Sequence, residues 1–128
     1  MKIRQIQKAS LRSELGLENF DEVVVEPFHD CKYIVVELSN VKGETKIVMR
    51  GSKDIKSHAD ILEWLEAQTA ATSLGVTCIG GGRLKIDHQA KTIEVHDYSD
   101  SFGREPDRQQ TVRMLESAFP EFRTVERW

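Results

Sequence analysis

The sequence has little that would support metal, disulfide or redox chemistry. Its 128 residues include two cysteines, Cys31 and Cys78, and neither belongs to a CxxC pair. This argues against a disulfide framework or a zinc site and is typical of a reducing compartment, which we expect to be the cytosol. Isolated thiols in apolar strands are expected to be core residues rather than ligands.

Long apolar runs and strong net charge are also missing. No run is long enough to cross a bilayer, and the first residues lack the apolar region of a signal peptide. A net charge of -3 and a pI near 5.8 argue against general nucleic-acid binding. We therefore expect a protein that binds neither nucleic acid nor membranes.

Several hydrolase signatures are absent as well. The sequence contains no Cx₅R motif, no paired aspartate nucleophile, no Walker A motif and no Ser/His/Asp order. Phosphatases of the cysteine, aspartate or bimetallic type are therefore not indicated.

The patterning that is present predicts one α/β domain. Residues 23–128 form this domain, and residues 1–22 are a separate N-terminal extension whose apolar residues have loose helical spacing. We predict a single-domain sandwich, in which two main helices flank a mixed, mostly antiparallel sheet of about six strands, in the order β-β-β-α-β-β-α-β. The predicted strands are 23–25, 32–38, 45–50, 76–79 continued at 84–87, 92–98 and 122–125, and the helices are 57–73 and 106–119.

The stretch from Arg50 to residue 62 is the most informative part of the chain. Ser57 is a plausible N-cap, with Asp60 three residues later, and His58 then lies in the first helical turn. The positive end of the helix dipole disfavours a charged imidazole and attracts anions such as phosphate. A cap at Asp54 would place His58 one turn deeper and weaken this argument. From position alone, a structural histidine is the commoner outcome.

A run of three glycines precedes Arg83. The N–H groups of Gly80, Gly81 and Gly82 are able to form an anion nest, to which Arg83 would add a bidentate phosphate contact. The alternative is a β-bulge beside a solvated arginine. The residues alone leave both open.

The loop Ser99-Asp100-Ser101 follows a predicted strand and precedes a helix. Its hydroxyl and backbone donors are suited to an oxyanion. An ordinary polar loop is the more common explanation of such a sequence.

Taken together, these segments resemble the phosphohistidine phosphatase (Janus) family. The matching pieces keep the family's order from about residue 23 onward: KYIVV (32–36), IVMRG (47–51), HADI (58–61), CIGGGRL (78–84), YS (98–99) and FG (102–103).

The resemblance implies a small, monomeric, metal-independent hydrolase without a cofactor. It would cleave the P–N bond of phosphohistidine in proteins or peptides, with phospholysine as a second candidate substrate, and would accept phosphate or sulfate in its pocket. By resemblance, His58 is the catalytic residue, as general base or as nucleophile. The phosphate-binding positions are Lys32, Arg83 with Gly82 beside it, and Ser99, Asp100 and Ser101, with Arg50 as a basic residue near the site.

The sequence departs from the family pattern at several positions: Phe102-Gly103 replaces a second YG, and His96-Asp97 replaces a small or aromatic pair before Tyr98. Ser57 stands where a tyrosine commonly precedes the histidine, and Asp100 stands where an uncharged residue is frequent. The alternative function is therefore a catalytically weak phosphoprotein-binding regulator that keeps the phosphate pocket.

Overall fold

A computed structural model describes residues 16–127 of the chain. Six strands and two α-helices follow a short 3₁₀ turn at Leu17–Asn19, and their order is the predicted one. The elements are β1 (Val23–Val25), β2 (Cys31–Ser39), β3 (Thr45–Ser52), α1 (His58–Thr69), β4 (Gly75–Asp87), β5 (Thr92–His96), α2 (Arg108–Ala118) and β6 (Arg123–Glu126).

The strands form one mixed sheet in the order β1-β3-β2-β4-β5-β6. The four central strands are antiparallel, whereas β1 and β6 join the two edges in parallel. The α/β class and the six-stranded mixed sheet predicted from the sequence are confirmed. No helix within residues 16–127 combines the length and the hydropathy needed to cross a bilayer.

Alternation along β2 divides the core between the two faces of the sheet. Ile34, Val36 and Leu38 pack with α1 on one face, while Tyr33 and Val35 pack on the face that α2 covers. Lys32 continues the first set and therefore projects from the α1 face at the start of the strand.

The predicted interruption of the fourth strand is wrong. β4 runs without a break through the glycines, and a register shift opposite Val35 and Val36 marks a bulge. Gly80 lies at this bulge with φ of 147°, a backbone conformation that residues with a side chain rarely adopt.

The other differences lie at element ends. α1 ends at Thr69, not at residue 73, because the N–H and hydroxyl of Thr72 both turn back to the Thr69 carbonyl. α2 begins at Arg108 rather than at residue 106, with the Asp107 side chain as its cap. β5 ends at His96, since Asp97 takes a positive φ of 64°.

Part of the predicted N-terminal extension lies against the sheet. Phe20 is buried with the α1-side core, and Lys46 donates through Nζ to the carbonyls of Leu17 and Phe20. Residues 1–15, including most of the predicted first helix, lie outside the described residues. The domain boundary at residue 22 stays a prediction.

Candidate active site

His58 occupies the first position of α1, as the sequence predicts. The Ser57 hydroxyl accepts a hydrogen bond from the Asp60 backbone N–H at 3.1 Å, which identifies Ser57, not Asp54, as the cap. This cap holds the imidazole at the positive end of the helix, where only 7% of the residue is exposed.

A hydrogen bond to the glycine run fixes the imidazole ring. His58 Nε2 lies 2.9 Å from the carbonyl oxygen of Gly82. A carbonyl oxygen can only accept, so Nε2 carries a proton, and in the neutral ring Nδ1 keeps its lone pair. Nδ1 has no hydrogen-bond partner within residues 16–127. The geometry therefore leaves Nδ1 as the nitrogen able to accept a proton or attack phosphorus.

The surroundings of His58 favour the neutral ring. Burial lowers the pKa of His58, and the charges of Lys32 and Arg83 lower it further. The hydrogen bond to Gly82 and the charge of Asp100 oppose this, but the net direction is downward. Three predicted site residues, Lys32, Arg83 and Asp100, therefore lie close enough to act on the imidazole.

Lys32 and Arg83 are brought together by sheet pairing. They are direct partners across β2 and β4, so their side chains leave the same face of the sheet. Arg83 Nε also contacts Asp97 Oδ2 at 3.2 Å in a partly exposed ion pair. Since Asp97 engages Nε, the terminal nitrogens of Arg83 remain available for an anion.

The Ser99 loop is tightly closed. Ser99 and Gly103 exchange backbone hydrogen bonds, and the buried Ser99 hydroxyl accepts from the Phe102 N–H. Ser99 therefore shapes the loop rather than presenting its hydroxyl to solvent. Asp100 and Ser101 lie exposed at its tip, and their backbone N–H groups have no partner within the described part of the chain.

Close packing, rather than an anion nest, accounts for the glycines. A Cβ at Gly80 would lie 2.2 Å from the Glu105 nitrogen, and one at Gly81 would lie 2.3 Å from the Tyr33 carbonyl oxygen. The Gly81 N–H already donates to the Gly103 carbonyl. The contribution of Gly82 to the site is the carbonyl that orients His58, while phosphate binding by Gly82 stays a prediction.

Arg50 makes its observed contacts away from His58, Lys32 and Arg83. It is 2% exposed, and its Nη1 donates to the carbonyls of Asp21 and Met49 at 2.8 Å. Its observed contacts bind the N-terminal segment to β3, so a role for Arg50 in phosphate binding stays a prediction.

A buried ion pair that the sequence did not reveal supports the glycine run from the other face. Arg108 contacts the Glu105 carboxylate at 2.9 Å and also donates to the Gly81 carbonyl at 3.1 Å. The hydroxyls of Tyr33 and Thr111 donate to the same carboxylate. No local motif marks this network, because its members become neighbours only when α2 packs on the sheet.

A cavity of about 380 Å³ adjoins the candidate site. Lys32 and Arg83 form part of its wall, whereas His58 does not. Within residues 16–127, no three His, Cys, Asp or Glu side chains are grouped as metal ligands.

Comparisons with known proteins identify the family. The Janus/Ocnus family model matches residues 17–123. The chain is similar to the sex-regulated protein janus-A of Drosophila melanogaster and of Drosophila simulans, each 33% identical over 114 residues, which covers 89% of this chain and 83% of the relative. It is also similar to the 14 kDa phosphohistidine phosphatase of Sus scrofa, 29% identical over 97 residues that cover 71% of this chain and 76% of that protein. The chain therefore belongs to the Janus/Ocnus family.

Proposed function

We propose that this protein is a metal-independent phosphohistidine phosphatase. The single observation that carries the proposal is His58, whose imidazole donates from Nε2 to Gly82 and keeps a lone pair on Nδ1 beside two cationic side chains. The similarity to a protein named as a phosphohistidine phosphatase supports it.

Two routes use the same atom. In the first, Nδ1 takes a proton from water, the resulting hydroxide oxygen bonds to phosphorus, and the P–N bond breaks as the substrate imidazole leaves. In the second, Nδ1 itself bonds to phosphorus as the P–N bond breaks, and water later hydrolyses phospho-His58. In the first route the proton that Nδ1 took from water passes to the leaving nitrogen, and in the second a solvent water supplies it. Lys32 and Arg83 would neutralise the phosphoryl oxygens, and the Asp100 and Ser101 N–H groups would orient them.

Phosphate release from a phosphohistidine peptide tests the proposal. The assay compares wild type, His58→Ala and the exposed-histidine control His88→Gln, all in EDTA and corrected for spontaneous hydrolysis. We expect wild type and the control to turn over, and His58→Ala to lose at least about 100-fold of the rate. A phospholysine peptide measured in parallel tests the wider P–N specificity.

The two routes are separated by a quench in alkali, in which phosphohistidine survives. Label from ³²P-substrate retained on wild type but not on His58→Ala would establish the covalent route. Turnover without retained label in single-turnover samples would establish general-base catalysis.

A phosphoprotein-binding regulator is the second candidate. Two carboxylates favour it: Asp100 lies near the imidazole, and Asp97 already engages Arg83. Wild type that binds a phosphohistidine peptide without releasing phosphate would establish the regulator and refute the phosphatase.

A further inference from the structure

The cavity beside the candidate site has other basic residues in its wall besides Lys32 and Arg83. Its wall also includes Lys53 and Lys56 from the link between β3 and α1, and Lys85 from β4. We call Lys53, Lys56 and Lys85 the outer basic cluster.

Strand geometry sets the distance between the two groups of cations. Arg83 and Lys85 are two residues apart on β4, and both are exposed on the face opposite to the buried Leu84. Residues i and i+2 of a strand are separated by roughly 6.6 Å. Lys85 therefore lies about two residues of an extended peptide away from Arg83, which would hold the phosphoryl group.

Glu94 is the cross-strand partner of Lys85, but its carboxylate contacts Arg127 at 3.0 Å, so the cluster carries little compensating charge. Within residues 16–127, no ion pair involves Lys53, Lys56 or Lys85. Among the described wall residues the acidic side chain is that of Asp30, which accepts a hydrogen bond from the Ile86 N–H at 2.7 Å. The cavity wall thus carries more positive than negative side chains in a protein whose net charge is negative, although Asp97 offsets part of the charge of Arg83.

The size of the cavity points to a ligand larger than one phosphoryl group. At about 380 Å³ it falls within the range of roughly 300–1,000 Å³ that is usual for whole small-molecule sites. A phosphoryl group held by Lys32 and Arg83 would leave the part next to the outer basic cluster for other substrate atoms.

We infer that the outer basic cluster binds a carboxylate side chain within two residues of the phosphohistidine, so that the protein selects phosphohistidine in acidic sequence contexts. This inference rests on the proposed function for the identity of the phosphorylated residue. Three exposed cations would each contribute modestly, and their sum corresponds to about five- to tenfold in affinity.

Binding of two matched peptides tests the inference. Both carry a hydrolysis-resistant phosphonate analogue of phosphohistidine; one has glutamate at the two positions on each side, and the other has glutamine at the same positions. Fluorescence anisotropy would give the ratio of their dissociation constants for wild type, for the triple variant Lys53→Gln/Lys56→Gln/Lys85→Gln, and for Lys42→Gln. Lys42 is exposed in the β2–β3 hairpin and serves as the control for loss of one positive charge.

We expect wild type and Lys42→Gln to bind the glutamate peptide about five- to tenfold more tightly, and the triple variant to bring this ratio within about twofold of unity. The wild-type ratio should shrink as salt is raised. A wild-type ratio near unity, or an unchanged ratio in a folded triple variant, would overturn the inference. Turnover of free phosphohistidine, which lacks neighbouring side chains, reports on the proposed function separately.

Discussion

The carbonyl oxygen of Gly82 lies 2.9 Å from Nε2 of His58 and so selects one tautomer of the imidazole. Because Gly82 belongs to a central strand and His58 to the first turn of a helix, the sheet itself orients the ring. A Cβ at Gly81 would approach His58 Cδ2 to 3.2 Å, so the glycine also lets the ring lie against the strand.

Activity should depend on pH through this imidazole. The pKa of His58 is lowered chiefly by burial and then by Lys32 and Arg83. The ring therefore stays neutral at pH values below 6.5, which is about the ordinary pKa of a histidine. We expect kcat/KM to fall only as pH drops through the lowered pKa. ¹⁵N NMR of His58 should show the Nε2-protonated neutral form at pH 7, and a charged ring at that pH would contradict the assignment.

The free energy of unfolding should also depend on pH through the protonation of His58. Since the folded-state pKa is lowered, the unfolded chain takes up the proton first, and stability falls as pH decreases below about 6.5 toward the folded value. His58→Gln should reduce this part of the pH dependence in urea unfolding, and an unchanged profile would contradict the shift.

The substitution Asp100→Asn should extend activity to lower pH and lower the KM. Asp100 raises the pKa of His58, so its removal should shift the acid limb of the kcat/KM profile to lower pH. It also removes a negative charge close to the proposed phosphoryl site, and KM should fall by about twofold. Glu116→Gln, on the exposed side of α2, is the matched control. A higher KM for Asp100→Asn would instead make Asp100 a substrate-binding group.

Breaking the Glu105–Arg108 pair should be strongly destabilising. Both side chains are at most 3% exposed, so Glu105→Ala leaves a buried guanidinium and two hydroxyls without their acceptor. We expect a loss of about 3–5 kcal/mol in the free energy of unfolding, measured with urea. Glu116→Ala should change it by no more than about 0.5 kcal/mol. A loss below about 1 kcal/mol for Glu105→Ala would show that the network relaxes easily.

Two glycines offer a comparison between crowding and backbone strain. Gly43 has φ of 85°, and a Cβ added there would meet no other atom within 4 Å, so Gly43→Ala should cost about 1–2 kcal/mol from backbone strain alone. Gly80→Ala adds a collision with the Glu105 backbone and should cost clearly more. Equal losses in urea unfolding would refute the packing explanation for the glycine run.

The sequence by itself determined much of this protein. Alternation in β2 indicated which of its side chains share a face, and Ser57 was one of two caps that the sequence allowed for α1, because both are local consequences of backbone geometry. Even the Arg83–Asp97 contact had a local signal. If β4 and β5 pair directly on either side of the turn at 88–91, then Arg83 lies opposite His96, which is the neighbour of Asp97 in the chain.

Tertiary structure decided the rest. The bulge at Gly80 follows from the approach of the Glu105 backbone, and the burial of Arg50 follows from the segment before β1. The outer basic cluster combines lysines from a loop and a strand that are far apart in the chain. These features depend on contacts between distant segments, which residue periodicity does not encode, because it records only which way each side chain points along its own element.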